Sequence, residues 1–195
     1  MRILMMAHIF DTTQNRWWGL LPILALLWHG SYTAIVLDAH YLLFVCYSAN
    51  IILGVGIYLR SGLMVGTGVG WCLIAFPLWL YYAILNSDWE ISGIVFHTSG
   101  VLVGLVAVKN YRLPGYTWCA GLGLALFLQI LARMFTDPEL NVNAAFRIYD
   151  GWEGLFPNYP VYFVVMFLGF AAFFFCLTWF NNRFLYSGNK IDERH

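Results

Sequence analysis

The chain is predicted to be an all-α polytopic membrane protein, a bundle of six transmembrane helices with both termini in the cytoplasm. Three observations predict this architecture. Apolar residues make up 61% of the 195 residues and charged residues only 10%, whereas a soluble domain has about 45–50% apolar and about 25% charged residues. The apolar residues fall into six stretches of helical length. Basic residues are concentrated in alternate connections between these stretches.

Each apolar stretch approaches the length that crosses a membrane. A hydrocarbon core of about 30 Å requires roughly 20 helical residues at about 1.5 Å per residue. The predicted spans are 17–37, 41–59, 63–85, 93–108, 115–135 and 160–180. Most connections are short, so consecutive helices are expected to be antiparallel neighbours. The predicted domains are an N-terminal tail at 1–16, a transmembrane domain at 17–182 and a C-terminal tail at 183–195.

Basic residues set the predicted orientation. Eight of the ten fall on one side of a six-span topology: Arg2, Arg16, Arg60, Lys109, Arg112, Arg183, Lys190 and Arg194. Arg133 and Arg147 fall on the other side. Because basic residues are retained on the cytoplasmic side, both termini should be cytoplasmic. The expected location is multi-pass in the plasma (inner) membrane. The zero net charge argues against nucleic acid as a partner.

Two reactive side chains are predicted to share one depth in the outer half of the membrane. Cys46 lies about one and a half turns below the outer end of the second span, and His97 about one turn below that of the fourth. A thiol becomes nucleophilic when an adjacent base favours the thiolate. Cys46 and His97 are therefore a candidate catalytic pair. The alternative for His97 is a neutral histidine satisfied by one hydrogen bond between helices.

Other polar side chains of the outer half could bind a substrate. Asn50 lies on the Cys46 face at position i+4, and Gln129 lies one turn deeper than Arg133 in the fifth span. Either amide could position an acyl carbonyl, and Arg133 could hold a phosphate oxygen. The alternative for Arg133 is that its side chain extends to the membrane–water interface and binds no substrate.

A second histidine offers a different function. His29 lies about two turns below Asp38 in the first span, and it is a candidate ligand for haem or a pigment. The sequence has no CxxC motif and no ligand spacing for zinc, so no metal site is predicted.

The remaining elements form the scaffold. Gly66, Gly68 and Gly70 in the third span permit close helix packing, and the phenylalanine-rich sixth span is apolar all round, as expected for contact with lipid. The connection 136–159 mixes charged residues with Tyr149 and Trp152 among other aromatics. It is expected either to cap the outer mouth of the bundle or to anchor the chain at the headgroup level.

From Cys46 onward the chain resembles the YwaF-like integral membrane protein family. That family is related to the transmembrane ether-phospholipid acyltransferase and more remotely to the androgen-induced-gene membrane hydrolases. The resemblance covers residues 41–182 and is carried by FVCYSANIILGVGIYL, FHTSGVLVGLVAVKNYRLPGYTW and the polar aromatic loop. It implies a membrane-embedded cysteine that works with a histidine opening a later helix, at Cys46 and His97 here. It does not separate acyl transfer from hydrolysis.

Three functions compete at this point. The leading hypothesis is a lipid acyltransferase or hydrolase that needs no cofactor and has membrane lipids as its partners. The second is a non-enzymatic subunit that assembles with partner membrane proteins and binds haem or a pigment through His29 or His97. The third is a transporter or channel component, which the scarcity of charged residues within the spans disfavours.

The topology leads to a labelling prediction. Single cysteines introduced at the termini should resist a membrane-impermeant maleimide in intact cells, whereas a cysteine introduced in the loop 136–159 should react. Permeabilised cells, in which all of these sites should react, serve as the control. Labelling of either terminus from outside intact cells would show that the orientation is wrong.

Overall fold

Six long helices form the bundle in the part of the chain that the structure, a computed structural model, describes. That part comprises residues 16–87 and 89–186. The helices are α1 (Leu20–Tyr32), α2 (Val45–Tyr58), α3 (Gly62–Asn86), α4 (Ile91–Val108), α5 (Thr117–Phe135) and α6 (Tyr159–Phe180). The all-α prediction is confirmed. The predicted tails lie outside the described residues except for Arg16 and residues 183–186, and Asp88 lies outside them too.

The helices identify a multi-pass integral membrane protein. Five segments are long and apolar enough to cross a membrane: Arg16–Leu37, Gly62–Asn86, Ile91–Val108, Thr117–Phe135 and Tyr159–Leu185. The first and the last are α1 and α6 together with the short helical turns that extend them. Which end of the bundle faces the cytoplasm remains the prediction made from the basic residues. The end that carries the connection 136–159 is called the loop end below.

Helix α2 is shorter than the predicted span 41–59. It has 14 residues, which cover roughly 21 Å at about 1.5 Å per residue. The chain before it forms a separate 3-10 turn at Ala39–Leu43. Between the two lies Phe44, whose backbone is extended at φ −59° and ψ 141°, and this conformation interrupts the helix. The span therefore begins as a broken helix at the loop end.

Helix α2 lies at the centre of the bundle, where glycines allow its neighbours to approach closely. Ala49, Leu53 and Ile57 on α2 are fully buried. A Cβ atom added to Gly68 of α3 would lie 2.6 Å from the backbone nitrogen of Leu53, and one added to Gly56 would lie 2.8 Å from the backbone nitrogen of Val65. Neither glycine can gain a side chain without separating α2 from α3. Small residues hold membrane helices together in this way.

Helix α6 packs on the bundle through few side chains. Tyr162, Phe174 and Thr178 are its buried residues, whereas Leu168 and Phe175 are more than half exposed. Phe174 meets Trp71 of α3 edge to face, with ring centroids 5.6 Å apart. Most of α6 thus presents an apolar surface to the surrounding lipid.

The connection 136–159 is an ordered structure that sits on the loop end. It contains short 3-10 turns at Pro138–Leu140, Val142–Ala144 and Glu153–Leu155. The side-chain oxygen of Asn141 accepts hydrogen bonds from the backbone N–H groups of Phe146 and Arg147, both at 3.1 Å. Val142 and Ala145 are fully buried against α5 and the 3-10 turn before α2. These contacts make the connection a fixed roof, which is named the roof loop below.

Asn143 ties the roof loop to the break before α2. Its side-chain amide donates to the carbonyl of Leu43 at 2.7 Å, and its side-chain oxygen accepts from the N–H of Val45 at 2.8 Å. Gln129 of α5 donates to the backbone carbonyl of Asn143 at 3.0 Å. Asn143 itself adopts the left-handed conformation, with φ 57°, which asparagine tolerates better than most residues. One side chain therefore satisfies both backbone groups that flank Phe44.

This bridge leads to a stability prediction. Asn143→Ala should leave the partly buried Leu43 carbonyl and Val45 N–H without their partner, and a fully buried polar group that loses its partner costs about 1–3 kcal/mol. The melting temperature of the protein in detergent should fall clearly. The control is Asn86→Ala, because exposed Asn86 donates its hydrogen bond to Tyr82 of its own helix. Equal melting temperatures for the two variants would contradict the role of the bridge.

Candidate functional site

A cavity of about 260 Å³ lies at the loop end, between the helices and the roof loop. Its wall is mostly aromatic and aliphatic, with contributions from Trp71, Trp79 and Phe170 among others. The histidines and the non-aromatic polar side chains on the wall are His29, Cys46, His97, Gln129 and Asn143. An apolar pocket with a few convergent polar groups is the usual form of a binding or catalytic site.

Cys46 lies on the cavity wall as the second residue of α2. The predicted position, one and a half turns inside a longer helix, is corrected by the break at Phe44, which makes Val45 the first helical residue. Cys46 therefore lies in the first turn of α2. A free thiol is largely protonated at neutral pH, so its use as a nucleophile still requires a base.

His97 lies on the same cavity wall, in α4. Its ring stacks on Trp79 of α3 with centroids 4.7 Å apart and an angle of 17°. Phe96 contacts the ring edge to face at 4.9 Å, and only 7% of the residue is exposed. The indole fixes the plane of the imidazole, so the ring nitrogens have defined directions. The structure thus places Cys46 and His97 on one cavity.

The residues predicted to bind a substrate have different positions. Gln129 lines the cavity, whereas Asn50 and Arg133 are not part of its wall. Asn50 donates to the backbone carbonyl of Cys46, one turn earlier in the same helix, at 2.9 Å. Its side chain therefore stabilises α2 itself. Its side-chain oxygen is buried and has no hydrogen-bond partner among the described residues.

Arg133 supports the roof loop. Its Nε donates to the carbonyl of Ala145 at 2.7 Å, and its Nη2 donates to the hydroxyl of Tyr159 at 3.1 Å. Tyr159 in turn donates to the carbonyls of Ala144 and Ala145, both at 3.0 Å. The guanidinium thus links the end of α5 to the start of α6 through the roof loop. The sequence indicated the depth of Arg133 but not these carbonyl partners.

The roof loop supplies side chains to the cavity that sequence reasoning did not single out. Tyr149 and Trp152 line the cavity together with Asn143 and Ala144. Burial raises the pKa of Tyr149, and the neighbouring charge of Asp150 acts in the same direction. Its hydroxyl therefore stays protonated at neutral pH and can donate a hydrogen bond. The aromatic residues within a charged loop were the signal for this contribution.

A cluster of three polar residues adjoins the cavity, and the sequence analysis singled out His29 but not its two partners. His29 lines the cavity, and its Nδ1 lies 2.8 Å from Oγ of Ser92 and 3.5 Å from Oε2 of Glu90. Ser92 donates its hydroxyl proton to Oε2 of Glu90. The predicted fourth span starts at residue 93, so it does not include Glu90 and Ser92. Glu90 caps the start of α4, because its side chain accepts from the N–H groups of Ser92 and Gly93. An acidic residue directly before an apolar span is the sequence signal that could have identified this cap.

The candidate cofactor ligands lie close together. The rings of His29 and His97 meet edge to face with centroids 6.3 Å apart. Among the described residues, no group of three or more histidine, cysteine, aspartate or glutamate side chains could hold a metal ion. The cavity volume of about 260 Å³ is below the roughly 300–1,000 Å³ typical of ligand and cofactor pockets. The space suits the reacting end of a long molecule better than a whole haem.

Comparison with known proteins adds no functional assignment. No protein-family model matches the chain, and no curated protein or solved structure shows a significant similarity to it. The relationship of residues 41–182 to the YwaF-like family is therefore a proposal, and the geometry of the cavity is the main evidence for function.

Proposed function

We propose that the protein is a membrane-embedded enzyme that cleaves or transfers the acyl ester of a lipid, with Cys46 as nucleophile and His97 as base. The observation that carries the proposal is that Cys46 and His97 line one apolar cavity, closed at one end by the ordered roof loop. Covalent acyl transfer requires at least a nucleophile and a base at the same site. The proposed YwaF-like relationship points to the same two residues.

The chemistry proceeds in two balanced steps. In the first, Sγ of Cys46 attacks the ester carbonyl while His97 takes the thiol proton. The carbon–oxygen bond breaks, His97 gives the proton to the leaving alcohol, and the acyl group remains on Cys46 as a thioester. In the second, the oxygen of water or of another alcohol attacks the thioester carbonyl while His97 takes its proton, the carbon–sulfur bond breaks, and His97 returns the proton to Sγ of Cys46. Water gives a hydrolase, and an alcohol gives an acyltransferase.

A lipid substrate fits the surroundings of the site. The helices that form the cavity belong to a membrane bundle, and aromatic rings from α3, α6 and the roof loop dominate its wall. A lipid tail would remain in the bilayer while the ester group enters the cavity. Gln129 and the protonated hydroxyl of Tyr149 are donors on the wall that could bind the carbonyl oxygen as it gains negative charge. Arg133 is assigned to the support of the roof loop.

The proposal predicts the kinetic effects of replacing the pair. In proteoliposomes that contain a phospholipid with an isotope-labelled acyl chain, Cys46→Ser and His97→Ala should each slow release or transfer of the label. General-base assistance typically contributes about 10²–10⁴-fold to the rate. A loss of turnover well below that range in His97→Ala would therefore contradict the role of His97 as the base. The two losses should not add, because the residues act as one unit. A hydroxylamine-sensitive acyl group should form on Cys46 of the wild type.

The matched control is Cys176→Ser. Cys176 is exposed on α6 and is not part of the cavity wall, so its replacement should leave turnover unchanged. Full turnover by Cys46→Ser would show that the thiol mechanism is wrong and would favour the non-enzymatic membrane subunit. Absence of both turnover and thioester in the wild-type protein would contradict the proposal as well.

A further inference from the structure

A groove of about 620 Å³ runs along the outside of the bundle between α1 and α4. Leu24, Trp28 and Leu102 line it and are more than half exposed, whereas Ala25 and Val103, which also line it, are buried. Both helices belong to segments that are long and apolar enough to cross a membrane. The groove shares no lining residue with the cavity under the roof loop. It is therefore a separate feature, open to the surrounding lipid.

The groove lies beside a helix that has a different neighbour at each end. At the loop end, Nδ1 of His29 on α1 lies 2.8 Å from Oγ of Ser92 on α4. At the opposite end, the turn before α1 packs on α2, where a Cβ atom added to Gly54 would lie 2.5 Å from the carbonyl oxygen of Gly19. α1 is thus held by α4 at one end and by α2 at the other. The space left between α1 and α4 is the groove.

The dimensions of the groove fit a hydrocarbon chain. On α4 it extends from Val95 to Val106, roughly 16 Å at about 1.5 Å per residue. This length is about half of a hydrocarbon core of about 30 Å, which is the depth of one leaflet. A volume of about 620 Å³ over that length leaves a mean cross-section of roughly 40 Å², at most about half the area of a helix about 10–12 Å across. An extended acyl chain fits this space, whereas a further helix does not.

The lining of the groove is apolar along its length. Ser99 is the one lining residue that is neither aliphatic nor an indole, and its hydroxyl donates to the carbonyl of Phe96 in its own helix at 2.9 Å. An occupant therefore has to be apolar where it lies in the groove. Lipid tails are as apolar as the side chains that they touch, so a tail alone gives little selectivity. Selectivity requires a charged group at the mouth.

Lys109 supplies that charge. It is the exposed, helical residue that ends α4. Its position continues the face of the groove, because Leu102, Val106 and Lys109 follow Ser99 at intervals of three and four residues. An ammonium group binds phosphate as a point charge. A lipid whose tail lies along α4 thus has its phosphate at the level of Lys109.

The end of the bundle that carries Lys109 favours a negatively charged headgroup. The acidic side chains of the described residues all lie at the loop end, at Asp38, at Glu90 and in the roof loop. The opposite end, called the basic end below, has five exposed basic residues in the part of the chain that the structure describes: Arg16, Arg60, Lys109, Arg112 and Arg183. Within the described residues, no carboxylate at this end competes for Lys109. A surface of one sign attracts ligands of the other.

We propose that the groove between α1 and α4 binds an anionic phospholipid of the leaflet at the basic end, with an acyl chain along the groove and the phosphate at Lys109. The basic residues predict that this leaflet is the cytoplasmic one. The lipid is a bound ligand and not the substrate of the cavity. The proposal therefore does not rest on the thiol mechanism.

Photo-cross-linking of the full-length protein in nanodiscs tests this site. The probe is phosphatidylglycerol with a diazirine in the middle of one acyl chain, and peptide mass spectrometry locates the label. The label should concentrate on the lining residues of α1 and α4, and it should exceed the label from phosphatidylcholine with the same chain. Lys109→Gln should lower the label from phosphatidylglycerol about fivefold, the size expected for one basic residue at a membrane surface. Ser99→Phe should fill the groove and remove most of the label.

Each variant has a matched control. Arg60→Gln removes the same charge at the same end, but Arg60 lies between α2 and α3, so the label in the groove should persist. Ala172→Phe adds the same ring at an exposed position of α6 and should have no effect on the groove. Lys109 is exposed, so Lys109→Gln tests the site even if Ser99→Phe does not fold. Cys46→Ser should keep the label, which separates this site from the catalytic proposal.

Four results would overturn the proposal. The label could be spread evenly over the lipid-facing helices, α6 included. Phosphatidylglycerol and phosphatidylcholine could label the groove equally. Lys109→Gln and Arg60→Gln could lower the label equally, which would indicate a diffuse attraction to the basic end. The label could appear with one copy of the protein per nanodisc and disappear with two, which would show that a second copy covers the groove.

Discussion

The site depends on the two hydrogen bonds by which Asn143 bridges the break before α2. A break in a helix leaves backbone groups without partners, and neither lipid nor apolar side chains can satisfy them. The amide of Asn143 matches the exposed carbonyl of Leu43 and the N–H of Val45 at the same time. This one contact permits α2 to begin at Val45 and so places Cys46 in its first turn. It also fixes the roof loop over the cavity, because the bridging residue belongs to that loop.

The cavity follows from this arrangement. With α2 held in the centre by its glycine contacts with α3, its first turn lines the same cavity as the aromatic rings of α3 and α6. The roof loop contributes Tyr149 and Trp152, and Arg133 and Gln129 hold it through backbone carbonyls. The polar side chains at the loop end thus divide into two groups. Cys46, His97 and His29 reach the cavity, whereas Arg133 and Asn50 stabilise the walls and the roof.

Much of the scaffold could be predicted because membrane spans are read from composition and length. Helices α3 to α6 begin and end within two residues of the predicted spans. The break at Phe44 could not be predicted, since no glycine or proline marks it and its stability depends on Asn143, about a hundred residues later in the chain. Counting helical turns indicated that Cys46 and His97 share a depth, and the structure places both on one cavity. The link between Glu90, Ser92 and His29 could not be predicted, because it joins α1 to α4 through their packing.

The central claim is that Cys46 and His97 line one cavity, and thiol cross-linking in the His97→Cys variant tests it most directly. With Cys72, Cys119 and Cys176 replaced by serine, the two remaining thiols belong to positions 46 and 97. A short apolar bis-thiol reagent should join them within one molecule, in detergent and in lipid, and peptide mass spectrometry should identify the linked segments. If each thiol reacts separately with the reagent and no linked peptide forms, the two side chains do not share a cavity and the account is wrong.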